Sequence, residues 1–183
     1  MESLETLNRE HVAIGAVLDR FESVIETALA SGELDVAAFD RLLSFFEERV
    51  DGQHQEQEER VFLPRVFTRA RGEEARRVRS ILDEHLVERS LLVQMRCALL
   101  DGRAAELAQL AQLVRQYVRH QRRHIAWEDT VIVPLARRVL SPRDDRAIRN
   151  GWKRFRETWG GDVEEAARRL ASWLDHRSPR MLA

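Results

Sequence analysis

The sequence predicts an all-α fold: an antiparallel up-down four-helix bundle with one or two additional helices at the C-terminal end. Three observations predict it. Apolar residues recur at steps of three and four along four long stretches, the seam of a bundle helix. Glycine (8) and proline (4) are scarce among the 183 residues, too few for the turns of a β-rich fold. Hydrophobic residues make up 44%, enough to fill a core and to exclude a disordered chain.

The first stretch, residues 3–30, carries Leu4, Leu7, Ile14, Leu18, Phe21, Ile25 and Ala28 on its seam, with His11 in the slot between Leu7 and Ile14. Ser31-Gly32 stops it. Asp35 is an N-cap for the second, residues 36–70, whose stripe is Phe39, Leu43, Phe46, Val50, His54, Glu58 and Val61. Gly52 is expected to mark a kink, since glycine costs a helix interior about 1 kcal/mol relative to alanine. Pro64 is expected to bend or end the helix, because its ring clashes with the carbonyl four residues back.

The third stretch, 73–100, places Val78, Leu82, His85, Leu92 and Leu99 on one face and ends at Asp101-Gly102. The fourth, 103–140, carries Leu107, Leu110, Val114, Tyr117, Gln121, His124, Glu128, Val131 and Leu135. Ser141-Pro142-Arg143-Asp144 then supplies an N-cap, a proline at the first helical position and an acidic third residue for a fifth helix to 158. Gly160-Gly161 breaks it, and Asp162 with Glu165 has capping-box spacing for a last helix to 176. Ser178 to Ala183 is expected to fray. No linker rich in Pro, Gly or Ser divides the chain. Residues 1–140 are therefore read as the bundle and 141–183 as a helical extension packed on the same domain.

The formal net charge of −1 argues against nucleic acid as the main partner. The arginine-rich stretches 69–79 and 143–156 are interspersed with acids and read as solvated faces. No apolar run approaches the ~18 residues of a membrane span. Met1-Glu2-Ser3-Leu4-Glu5 has no signal-peptide shape, so the expectation is a cytoplasmic protein. The single cysteine, Cys97, excludes an intrachain disulfide and a thiolate cluster, and is read as a small packed residue.

An internal duplication carries the chemistry. Glu10-His11 is followed by His54 and Glu84-His85 by His124. Each later histidine opens the same pattern: His, three residues, Glu, five residues, Pro, as His54–Glu58–Pro64 and His124–Glu128–Pro134. Residues at i and i+4 share a helix face, so each His–Glu pair points one way, along an apolar stripe. Alone, an interior histidine is ordinarily a hydrogen-bonded core residue and a single His-x-x-x-Glu a surface pair. Two such pairs on two stripes, with His11 and His85 on the others, bury four imidazoles and two carboxylates at one level. Carboxylates buried without partners cost several kcal/mol. A pair of metal ions between them answers that cost, and a nitrogen and oxygen donor set suits iron, manganese or zinc.

Other residues draw attention and are read more plainly. His120 and His124 copy the zincin histidine spacing, but Gln121 stands where a protease needs its Glu. His120 is read as a helix-flank residue and Tyr117 as core. Arg89, four residues after His85, either reaches the pocket rim or forms an exposed salt bridge.

At these residues the sequence resembles the hemerythrin-like, HHE cation-binding family of di-iron four-helix bundles, over residues 4–140. The resemblance assigns His11, His54, Glu58, His85, His124 and Glu128 as ligands of two iron ions, bridged by carboxylate and by oxo or hydroxo groups. Glu59-Arg60-Val61-Phe62-Leu63-Pro64 and Asp129-Thr130-Val131-Ile132-Val133-Pro134 also match the family's stretches after each bridging carboxylate. The oxygen-carrying members have a second histidine one turn after the third-helix ligand, where this chain has Arg89. One histidine fewer leaves one more position open to water or substrate. The resemblance thus implies the four-histidine bacterial type, which binds, senses or reacts with oxygen, nitric oxide or peroxide. The alternatives are iron storage or donation for repair of damaged iron sites, oxygen activation on an organic substrate, and a metal-free helical interaction domain.

Overall fold

The computed structural model describes residues 1–101 and 106–177. Every element in them is helical. α1 is Glu2–Ser31. α2 runs over 36–69, with Val36–Phe45 and Leu63–Arg69 wound as α-helix and Phe46–Gln55 and Glu58–Phe62 as the wider π-helix. α3 is Glu73–Asp101. α4 runs over 106–139, as α-helical Glu106–Trp127, π-helical Glu128–Ile132 and α-helical Val133–Val139. α5 is Pro142–Trp159 and α6 Val163–Arg177. Gly102, the expected start of the fourth helix at 103 and the expected frayed end 178–183 lie outside the described residues. Among the described residues no helix is long and apolar enough to cross a membrane.

The helix ends follow local chemistry. Asp35 Oδ1 accepts from Ala38 N at 3.0 Å, capping α2. Ser141 and Asp144 form a reciprocal capping box ahead of α5. Asp162 Oδ1 accepts from Glu165 N at 2.8 Å at the start of α6. Gly32 and Gly160 end α1 and α5 in the left-handed conformation, with φ of 77° and 66°.

α1 packs on α2 and α4, and α3 packs on the same two helices. Two apolar clusters fill the interior. One gathers Leu4 and Leu7 of α1, Phe62 of α2, Val78 and Ile81 of α3 and Ile132 of α4. The other gathers Ile14 and Phe21, Phe46 and Val50, Leu92 and Met95, and Val114 and Tyr117 from the same four helices. Each helix passes from one cluster to the other, and between them lies a buried polar layer. α5 covers the first cluster with Ile148 and Trp152. α6 covers the second with Val163, Leu170 and Leu174.

Three details differ from expectation. Pro64 does not end α2: Leu63 N–H reaches back five residues to Glu58 O, and Pro64 falls in the first turn of the next α-helical segment, Leu63–Arg69. Gly52 lies within the π-helical stretch Phe46–Gln55, and the helix runs on through it. A Cβ there would lie 2.8 Å from the Trp159 ring, so the glycine makes room for the α5–α6 corner. On α3 the interior face is Ile81, His85, Glu88, Leu92 and Met95, while Leu82 is 40% exposed.

At Gly151 α5 sits close against α2: a Cβ would lie 2.7 Å from Val61 Cγ1. Alanine gains about 1 kcal/mol of helix propensity over glycine. Overpacking against a stiff β-branched neighbour costs about 1–3 kcal/mol. The clash is the larger effect, so Gly151→Ala should lower the urea midpoint. Gly15→Ala has nothing within 4 Å of the new Cβ and should raise it. A stabilised Gly151→Ala would show that α5 can shift off α2 at little cost.

Candidate metal centre

The polar layer is built by helix periodicity. His54 and Glu58 stand one turn apart on α2, and His124 and Glu128 one turn apart on α4. His11 and His85 take the matching interior positions of α1 and α3. All six side chains are buried, none more than 3% exposed. Their ligand atoms form two groups, each spanning no more than 4.8 Å: His11, His54, Glu58 and Glu128 in one, and His85, His124, Glu58 and Glu128 in the other. Glu58 divides its oxygens between them. Oε1 lies 3.5 Å from His54 Nε2, and Oε2 lies 3.5 Å from His85 Nε2. Glu128 Oε2 lies 3.2 Å from His11 Nε2 and 3.6 Å from His124 Nε2. The two carboxylates thus belong to both groups.

The outer nitrogen of every imidazole is tied to an acid. His54 Nδ1 meets Glu10 at 2.9 Å and His124 Nδ1 meets Glu84 at 2.9 Å. His11 Nδ1 meets Asp129 at 2.7 Å and His85 Nδ1 meets Glu59 at 2.8 Å. Each acid is the chain neighbour of another member of the layer: Glu10 precedes His11, Glu59 follows Glu58, Glu84 precedes His85, and Asp129 follows Glu128. A carboxylate only accepts, so each Nδ1 carries a proton, and whenever a ring is neutral its Nε2 lone pair is the one aimed inward. That is the tautomer a metal needs.

The inward atoms have no hydrogen-bond partner. They are Nε2 of His11, His54, His85 and His124 and both oxygens of Glu58 and of Glu128. His11 Nε2 and Glu128 Oε2 are close but not in hydrogen-bond geometry. Unpartnered polar atoms at this depth cost about 1–3 kcal/mol each, more when charged. A cation accepting these lone pairs relieves the whole layer together, so the residues fit a metal pair.

The proton affinities report the same field. Burial alone would depress the His11 imidazolium, but Asp129 and Glu128 outweigh it and hold its pKa at about 9. Burial likewise opposes His124, and Glu128 with Glu84 raises it to about 9. Glu58 is pushed well up by burial and by the charges of Glu128, Glu10 and Glu88. Burial also works to raise Glu128, but His124, His11 and His85 hold it below the carboxylate range. His85 is lowered, chiefly by burial.

The family model for the hemerythrin HHE cation-binding domain matches residues 2–136. The chain belongs to the hemerythrin HHE cation-binding family. Its members' domain binds cations, and the His and Glu groups of this hemerythrin domain are compatible with a metal site. No curated protein and no solved structure matches the chain.

The structure brings together all six residues that the sequence singled out. Sequence reasoning assigned no role to Glu10, Glu59, Glu84 and Asp129, although an acid beside each of His11, Glu58, His85 and Glu128 was a visible signal. It also missed Glu88, which is fully buried. Arg89 does not face the centre: it pairs with Asp51 and, at 2.7 Å, with Glu59, and so braces the acid that holds His85. Tyr117 is core, as read, with its hydroxyl unpartnered. Cys97 is exposed, not packed.

Two predictions follow from the geometry. Glu84→Ala removes the acceptor that fixes the His124 tautomer, and should weaken metal binding about 10–100-fold in a chelator competition. Unchanged affinity would mean that the ring is held by packing alone. The second concerns the metal-free chain. His11 and His124 bind protons more tightly folded than unfolded, where histidine titrates near 6.5. The stability from that difference is full below about pH 6.5 and lost as the pH rises through about 9. Raised Glu58 acts in the same sense, and Glu128 acts only in acid. The urea midpoint of metal-free protein should therefore fall between pH 6.5 and 9.5. A rise across that range would show these imidazoles to be neutral.

Proposed function

We propose that the chain is a non-haem di-iron protein of the cytoplasm that binds, senses or reacts with oxygen, nitric oxide or peroxide. The observation that carries the reading is the layer of eight unpartnered inward atoms, backed by four imidazoles whose outer nitrogens are all tied to acids. His11 and His54 would hold one ion, His85 and His124 the other, with Glu58 and Glu128 bridging. Family membership supports a cation at this place. The donor set also admits manganese and zinc, and iron is the choice that supplies electrons to small oxidants. The order in which α1 to α4 pass between the two apolar clusters supports an antiparallel up-down bundle as the frame.

The chain's own residues hold the ions and exclude bulk water. Four histidines leave more room for a small ligand than the five of an oxygen carrier, and Arg89, turned toward Asp51 and Glu59, adds no further ligand. This favours a reactive centre over reversible oxygen carriage.

Metal analysis after anaerobic loading with ferrous iron tests the reading, followed by rapid mixing with oxygen, nitric oxide or peroxide. About two iron ions per chain are expected, a lower melting temperature on stripping, and loss of most metal in Glu58→Ala and Glu128→Ala. Ferrous protein should oxidise without a long-lived oxygenated form. Retention of full iron by both variants would refute the ligand assignment. A stable, reversible oxygen adduct would restore oxygen carriage, and rapid loss of iron to a mild chelator without oxidation would point to iron donation.

A further inference from the structure

Beside the His85–His124 half of the centre lies a second buried polar group that the ligand set does not use. Glu88 stands three residues after His85 on the same face of α3, and is fully buried. No lysine or arginine pairs with it among the described residues. Gln55, the neighbour of His54, donates to its Oε2. Gln121, three residues before His124, turns its amide nitrogen to Glu88, 2.9 and 3.0 Å from its two oxygens. Glu88 thus receives amide donors from α2 and α4 and no cationic partner.

His120 connects this pocket to solvent. Its Nε2 is buried and unpartnered, 3.7 Å from Glu88 Oε1. Arg123 donates to its Nδ1 at 3.0 Å. A guanidinium has no acceptor, so in the neutral ring the proton sits on Nε2, facing Glu88. The His120 side chain is 12% exposed and Glu88 is sealed, so the pair spans the wall of the bundle. Tyr117, one turn before Gln121, adds an unpartnered buried hydroxyl. His124, Glu128 and Glu84 bear on Glu88 electrostatically, and its own charge bears on Glu58 and Tyr117. Burial is the main cause that lifts the Glu88 carboxyl to about 7, where it gains and loses a proton near neutrality.

We infer that His120 and Glu88 form a proton path from solvent to the His85–His124 side of the centre. The inference rests on the di-iron reading, in which reduction of a peroxide to water consumes protons as well as electrons. His120 passes its Nε2 proton to Glu88 Oε1 while Nδ1, released by exposed Arg123, takes one from water. A turn of the ring restores the starting tautomer. Glu88, now the neutral acid, would hold that proton beside the His85–His124 side of the centre, available for the reduction of peroxide to water, and would return to carboxylate on giving it up. Glu88 and His120 are positioning and proton-carrying residues here, not metal ligands.

Two readouts test this, one without metal. In metal-free protein followed by NMR, the His120 ring shifts should show an added inflection near pH 7, where the facing Glu88 carboxyl gains its charge, and Glu88→Gln should lack it. Identical His120 titration curves in wild type and Glu88→Gln would overturn the path. In iron-loaded protein mixed with hydrogen peroxide, Glu88→Gln and His120→Ala should keep their iron and oxidise about tenfold or more slowly. Added imidazole should restore His120→Ala and not Glu88→Gln, which a merely structural role would not produce. Wild-type rates, a His120→Ala variant indifferent to imidazole, or iron lost from Glu88→Gln would each refute the path. A wild type that takes up iron but ignores peroxide would instead refute the proposed function. The metal-free titration would then still decide the coupling of His120 to Glu88.

Discussion

Everything in this fold is arranged around one constraint: four imidazoles and two carboxylates have been taken out of water in the middle of a core. The cost of that burial is too large for an interior to carry unanswered. The surroundings answer it from outside with acids on every Nδ1, and leave the inner lone pairs free. The apolar clusters on either side, and α5 and α6 that cover them, keep water away from those lone pairs. Each apolar seam is interrupted at the same level, so the layer is continuous across four helices.

The repeated Glu–five residues–Pro spacing finds its reason in the same constraint. After Glu58 and again after Glu128 the helix widens into one π-turn, closed by Leu63 N–H to Glu58 O and by Val133 N–H to Glu128 O. The proline that follows lacks an N–H and falls in the first turn of the next α-helical segment. A wider turn adds a residue to the helix and rotates everything beyond it. The carboxylates therefore face the layer while Phe62 and Ile132, past the turn, still face the apolar cluster. Proline at these positions tolerates the register change, and so the motif is written twice.

The layer itself was legible because its six residues fall on helical seams at matching depth in two half-sequences. The seams also gave the N-caps Asp35 and Ser141 and the glycine stops at Gly32 and Gly160. What was not legible depends on contacts between helices. Reading Leu82 as interior over Ile81 came from taking the seam of α3 in isolation, where both residues are apolar and adjacent. The structure selects Ile81 because Ile81, His85, Glu88, Leu92 and Met95 face the neighbouring helices. Gly52 reads as a kink along one helix and as clearance for Trp159 once α5 is placed. The acids on each Nδ1 lie on a different helix from the ring they hold, and no spacing along a single helix shows them.

The proton affinities of the layer and its affinity for metal have one origin. Glu10, Glu59, Glu84 and Asp129 ring the imidazoles, Glu58 and Glu128 lie between them, and Glu88 sits beside them. Arg89 is a cation in direct contact with one of these acids. The field at the centre is therefore negative, and the partly exposed Asp129, Glu84 and Glu59 contribute less than their number implies, because solvent screens them. Without a metal that field is answered by protons, which is why His11 and His124 hold theirs to about 9 against the pull of burial. A divalent ion entering the layer must displace them. Metal uptake is then an exchange of protons for cations within one negative cage, and it strengthens as the pH rises toward the point where the imidazoles are free.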